Sequence, residues 1–316
     1  MKTGRSSRVS LFDIQVNGFA GIDFQQPNLS IEELRLACSA LRRHHTHRIL
    51  LTLVTDSIDA LERQFARIEA IRAQDGLVRE TVAGYHLEGP YLNPEEGYRG
   101  AHPPKFIKGP DWKEYQRLQK AAAGNIRLIT LAPEWPGSAR FIAALTRSGV
   151  VVSLGHTNAS ESEIDGAVKA GAALCTHLGN GCPALLPRHD NITQRLLARD
   201  DLVACFIPDG IHIPLPVLKN FLRAKSSGQV IVTTDAMAAA GAPPGRYSIG
   251  KSRVDCGRDG IVRFPGTDYF AGSSLTLEKG VANAASWAAV PPATAWGWAS
   301  RRPAEIFGVR LPRISC

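Results

Sequence analysis

The sequence predicts an α/β chain folded as one (β/α)8 barrel, and three observations predict it. Eight short apolar runs recur along the 316 residues, with helical patterns between them. Four of those runs deliver Glu88, His156, His177 or Asp235 at or just past their ends. Eight β/α repeats in one chain point to a closed barrel rather than an open sheet, and reactive side chains at the strand C-termini fit, since barrels build their sites on that face.

The strands are expected at 10–16, 48–54, 81–87, 126–131, 150–154, 172–176, 203–207 and 229–234. Continuous Val, Ile and Leu at these positions suit parallel strands covered on both faces. Helical patterns span 30–43, 58–73, 139–147, 160–170 and 214–224. The stretches Asn28-Leu29-Ser30-Ile31-Glu32-Glu33 and Asn158-Ala159-Ser160-Glu161 supply capping side chains with acidic first turns. The Gly- and Arg-rich stretch 247–268 reads as irregular or as a small hairpin, and helices over 275–289 and 293–306 close the chain. No repeat or low-complexity segment interrupts this order.

Composition narrows the function. Hydrophobic content of 44% and charged content of 21% are ordinary for a soluble globular protein. No apolar run reaches the roughly 18 residues of a membrane helix, so no membrane partner is expected. The basic start, Met1 to Arg8, leads into a short strand and not into a signal-peptide apolar core, which makes the cytoplasm the expected location. Six cysteines without a C-x-x-C pair argue against a disulfide framework or a structural zinc site, and Cys175 and Cys205 read as small buried hydrophobes. The net charge of +8 comes from scattered residues without a run of five, so nucleic acid is not the expected partner. An anionic small substrate accounts for the same charge.

The strand ends carry the chemistry. Gly84-Tyr85-His86-Leu87-Glu88 runs into Gly89-Pro90, which breaks the strand just past a carboxylate. Val150 to Gly155 delivers His156, and Ala172 to Thr176 delivers His177. One carboxylate and two imidazoles match a catalytic metal site, which takes about three protein ligands and leaves a position for water. Asp235 ends the eighth strand with no cationic partner in its own segment, and it reads as the group that exchanges protons with that water. The competing reading is a helix N-cap, because Ala236 to Ala240 follow. His86 faces the same way as Glu88 but lies deeper in its strand, and His44, His45 and His47 fall at the opposite end of the barrel.

In order, the chain carries His-Leu-Glu-Gly-Pro, Gly-His-Thr-Asn-Ala, Thr-His-Leu-x-Asn, Asp-Gly-x-His and Thr-Asp-Ala-Met-x-Ala-x-Gly. Over residues 13–308 these resemble the N-acetylglucosamine-6-phosphate deacetylase family. The fold so implied is a (β/α)8 TIM-type barrel of the metal-dependent amidohydrolase kind. The resemblance implies Glu88, His156 and His177 as ligands of one divalent ion, Zn2+ first, with Fe2+, Mn2+ or Co2+ as alternatives. It implies Asp235 as general base and acid, and His212 as a substrate contact that helps polarise the acetamide carbonyl. Asp209, Asn180, Gly181, Ala101, His102, Phe270, Ala271 and Gly272 match substrate-contacting positions. Arg188 matches a basic residue that reaches the substrate phosphate from the neighbouring subunit, which implies a homodimer. The implied reaction is metal-dependent deacetylation of N-acetylglucosamine 6-phosphate to glucosamine 6-phosphate and acetate.

Three departures stand beside the resemblance. The usual His-x-His after strand one is Gln15-Val16-Asn17, so a second metal lacks ligands. Gly179 and Gly181 flank Asn180 where bulkier residues are usual. The family's flanking β-sandwich, built from both chain ends, is expected to be largely absent, leaving residues 1–316 as a single hydrolase barrel. Two alternatives stay open: an amidohydrolase of another N-acyl amino sugar, such as N-acetylgalactosamine 6-phosphate or an unphosphorylated sugar, and a non-catalytic sugar-phosphate-binding relative.

Overall fold

The structure is a computed structural model that describes residues 7–267 and 269–315; the basic start up to Ser6 and the last cysteine, Cys316, lie outside them. All eight expected strands form: β1 (Leu11–Val16), β2 (Thr46–Val54), β3 (Val82–Glu88), β4 (Ile126–Leu131), β5 (Val151–Leu154), β6 (Ala172–Cys175), β7 (Val203–Phe206) and β8 (Val230–Val232). They make one parallel sheet in sequence order. The sheet closes where Val16 meets Ala236 in a parallel bridge and the Asn17 N–H donates to the Ala236 carbonyl at 2.7 Å. Buried Asp13 reinforces that seam, accepting from the Thr233 and Thr234 hydroxyls at 2.6 Å each. This is the (β/α)8 barrel the strand order predicts.

The barrel interior is graded along its axis. At the N-terminal end Phe12, Ile14, Leu50, Leu128, Leu174 and Ile231 pack with Phe307, whose ring meets Phe12 edge-on at 5.9 Å. Above this apolar plug lies a buried layer of polar side chains. His86 Nε2 sits 2.7 Å from the Thr130 hydroxyl, which is 2.7 Å from that of Thr176, itself 2.6 Å from that of Ser153. Burial pushes the His86 imidazole down to about 4, so it stays neutral and belongs to this layer. The reactive strand ends come next.

The outer helices follow the expected pattern, with Ser30 and Ser160 each closing a full capping box. Four helix-related differences appear. Short helices Gly76–Thr81, Trp112–Ala121 and Ile192–Leu197 lacked a long apolar period. The single helix expected over 293–306 is two, Pro292–Trp298 and Arg301–Phe307. Pro303 has no amide hydrogen, and restarting the helix at Arg301 places it in a first turn, where none is needed. The 247–268 stretch is a small antiparallel sheet, Gly245–Ile249, Ser252–Cys256 and Val262–Arg263. Outside the barrel, Ser7–Val9 pairs antiparallel with Arg313–Ser315.

Candidate active site

Glu88, His156 and His177 converge at the C-terminal mouth of the barrel, all buried. Glu88 Oε1 lies 3.0 Å from His177 Nε2 and 3.3 Å from His156 Nε2, and the two nitrogens are 3.1 Å apart. A tetrahedral ion held at roughly 2.0–2.2 Å by such donors separates them by about 3.3–3.5 Å. The triangle is close to one face of that tetrahedron, so the donor set fits a divalent ion. The His156 Nδ1–H donates to the Tyr98 carbonyl at 2.8 Å, which turns the Nε2 lone pair toward the triangle. Burial alone would raise the Glu88 carboxyl, but hydrogen bonds from both histidines outweigh it and hold Glu88 well below the usual carboxylate range.

Asp235 faces this triangle across a bridge of amides. The Gln15 side-chain NH2 lies 3.1 Å from both Glu88 oxygens and 3.0 Å from Asp235 Oδ1, and the Asn17 NH2 donates to the same Oδ1 at 2.7 Å. The sequence marked Gln15 and Asn17 only as missing ligands; here they hold the two carboxylates in place. Burial, then the charge of Glu88, pushes Asp235 up to about 7. The N-cap alternative for Asp235 fails, since residues 236–240 form a bridge and a turn instead of a helix.

Backbone conformation sets this site apart. His156, His177 and Asp235 have φ of +52°, +29° and +51°, in the left-handed region that side chains rarely occupy. Each costs on the order of 1–3 kcal/mol and persists only where the surroundings fix it. Left-handed turns at three strand ends fold the chain back so that the side chains aim into the barrel mouth. No residue-type signal revealed this, because glycine is the usual marker and none of the three is glycine.

The remaining candidates distribute around this centre. His212 is held by Asp209, whose Oδ2 lies 2.6 Å from His212 Nδ1 and whose Oδ1 accepts the Ile211 and His212 N–H groups at 2.8 and 2.9 Å. Burial alone would raise the Asp209 carboxyl, but the His212 contacts lower it, so Asp209 serves as an orienting carboxylate. Phe270 stacks edge-on with His212 at 5.3 Å, and Ala271 and Gly272 continue that loop, the Ala271 N–H donating to the Val262 carbonyl at 3.2 Å.

His102 is buried against His156 with ring centroids 4.5 Å apart, its Nδ1 lying 2.8 Å from the Thr55 hydroxyl, whereas Ala101 is exposed. Burial, then the nearby His156, pushes His102 down to about 3, so it is a neutral imidazole. Asn180 braces His177, its side-chain NH2 donating to the His177 carbonyl at 3.1 Å. Gly181, with φ of +61°, lies so near His156 that an added Cβ would fall 2.8 Å from Nδ1. That close approach accounts for the glycine. Arg188 stands exposed on the same loop. His44 and His45 lie far from the triangle in sequence and structure, beside Glu278 at 3.7 and 3.6 Å.

No protein-family model matches the chain. Among curated proteins, N-acetylglucosamine-6-phosphate deacetylase of Danio rerio is 34% identical over 315 residues, covering 94% of this chain and 74% of its own length. N-acetylgalactosamine-6-phosphate deacetylase of a Shewanella species is 33% identical over 296 residues, covering 93% and 72%. Among solved structures, a variant of Mycobacterium smegmatis N-acetyl-D-glucosamine-6-phosphate deacetylase, in complex with N-acetyl-D-glucosamine-6-phosphate, superposes with a TM-score of 0.86. It is 30% identical and covers 98% of this chain and 80% of that one. With its barrel, its donor triangle and its facing aspartate, the chain belongs to the N-acetylglucosamine-6-phosphate deacetylase family of amidohydrolases.

Proposed function

We propose that this chain removes the acetyl group of N-acetylglucosamine 6-phosphate, releasing acetate and glucosamine 6-phosphate. The observation that carries the reading is the Glu88, His156 and His177 triangle with Asp235 held beside it by Gln15 and Asn17. Glu88, His156 and His177 would hold a divalent ion there, which would supply a water of lowered pKa and a Lewis acid for the acetyl carbonyl. Asp235 accepts the proton of the attacking water and then delivers it to the sugar nitrogen as the C–N bond breaks. The Asp209 carboxylate fixes the His212 ring, leaving Nε2 to meet the acetamide oxygen.

One ion per chain is the expected stoichiometry, because the amides of Gln15 and Asn17 are committed to Glu88 and Asp235. Zn2+ suits one carboxylate and two imidazoles. Arg188 is proposed to bind the 6-phosphate of a partner subunit's substrate through its planar fork. A phosphate site shared in this way requires a homodimer with this exposed loop at its interface. Catalysis is assigned wholly to the barrel and its small sheet. No helix among the described residues is long and apolar enough to cross a membrane, and a cytoplasmic setting suits a phosphorylated sugar.

Acetate release from four substrates tests the assignment: N-acetylglucosamine and N-acetylgalactosamine, each with and without the 6-phosphate. Highest kcat/KM on N-acetylglucosamine 6-phosphate is the expected result. A preference for the galacto epimer gives the second reading, which the Shewanella relative favours by its name. No release from any of the four in the metal-loaded protein overturns both.

A further inference from the structure

We infer that Glu134, a carboxylate outside the donor triangle and outside the proton path, is the positioning residue for His156. It sits half-buried just past the end of β4, the strand between those that carry Glu88 and His156. Its Oε1 accepts from the Asn93 side-chain NH2 at 2.8 Å and from the Asn158 N–H at 2.9 Å, and its Oε2 accepts from the Thr157 hydroxyl. The Asn93 N–H in turn donates to the His156 carbonyl at 2.9 Å. One carboxylate therefore grips the chain at His156 and just after it: directly through the two residues that follow, and through Asn93 at the carbonyl of His156 itself.

His156 needs such a grip. Its φ of +52° is a conformation the isolated chain disfavours, and it survives only where neighbours over-determine it. The ring's bond to Tyr98 orients the imidazole about its own axis but leaves the backbone turn unsecured. Three charge-assisted or amide hydrogen bonds to Glu134 fix that turn, and groups that orient metal ligands from behind typically change metal affinity by about 10–100-fold when removed.

This inference rests on the triangle being the metal site, and the test separates the two. Zinc affinity is measured by competition with a chromogenic chelator for the full chain, Glu134→Gln, Glu134→Ala and His156→Ala, with circular dichroism reporting the fold. A Co2+-loaded sample of each reports ligand geometry through its visible absorption. Expected are loss of binding in His156→Ala, an affinity about 10–100-fold weaker in folded Glu134→Ala with an altered Co2+ band, and substantial recovery in Glu134→Gln, which keeps the Oε1 acceptor.

Unchanged affinity and spectrum in Glu134→Ala, with His156→Ala still losing the ion, overturn the Glu134 role alone. Full binding in His156→Ala overturns the site. Should Glu134→Ala not fold, Thr157→Val takes its place, removing the hydroxyl bond to Glu134 together with the one from the Ala159 N–H. A several-fold weaker affinity in that variant supports the inference, and wild-type affinity rejects it.

Discussion

Asp235 Oδ1 accepts from both Gln15 and Asn17, and an asparagine there keeps an oxygen in the same place. Asp235→Asn should therefore retain the ion while losing proton transfer, with kcat lower by about 10²–10⁴-fold. Metal analysis alongside kinetics checks both halves, and a loss below tenfold with the ion in place removes Asp235 from the proton path. Arg188→Ala should raise KM for the 6-phosphate substrate while leaving the unphosphorylated analogue nearly untouched. Equal losses on both remove the guanidinium from phosphate recognition. The reactive groups were readable in the sequence because they end apolar strands, as Glu88 and His177 do. Their supports were not, since an amide such as Gln15 or a main-chain carbonyl such as that of Tyr98 carries no residue-type signature.

The elements that cap the barrel mouth depend on close backbone approaches. Gly18 lies in the hairpin Gly18–Phe19 and Ile22–Asp23, where an added Cβ would fall 2.5 Å from the Ile22 carbonyl oxygen and 2.8 Å from the Ala238 N. Both are main-chain atoms that cannot swing aside. Gly18→Ala should destabilise the fold by on the order of 1–3 kcal/mol, read by denaturant titration, and a change below about 0.5 kcal/mol contradicts that geometry. Strands were legible to within two residues at most ends because Val, Ile and Leu runs stop where the sheet stops. The hairpin at Gly18 and the short helix Ile192–Leu197 were not, since two or six residues carry no measurable period. The break at Ala299–Ser300 could have been read from Pro303.

At the scale of the whole molecule, stability should carry the mark of a buried acid. Burial pushes Asp23 up to about 7, and its Oδ2 has no partner among the described residues. The folded chain then holds a proton that the unfolded chain releases near its ordinary value of about 4. Between those values the folded state holds the extra proton at this group, so the contribution of Asp23 to stability falls as pH rises from about 4 to 7 and levels off above, while the buried neutral His86 and His102 contribute in the opposite sense. Asp23→Asn should remove that contribution and be more stable than the parent at pH 8, by up to about 4 kcal/mol, with a smaller gap at pH 5. Parallel unfolding curves at pH 5 and pH 8 that show no difference between the two proteins contradict this.

The left-handed turn at Asp235 has one more consequence, which concerns the trade between endurance and work. Asparagine tolerates that backbone far better than most side chains, and it removes a carboxylate that burial and Glu88 both disfavour. The substitution that silences the enzyme should therefore also toughen it. Asp235→Asn is expected to melt several degrees above the parent when both are stripped of metal. In that sense the aspartate is an expense the fold carries solely so that the reaction can run.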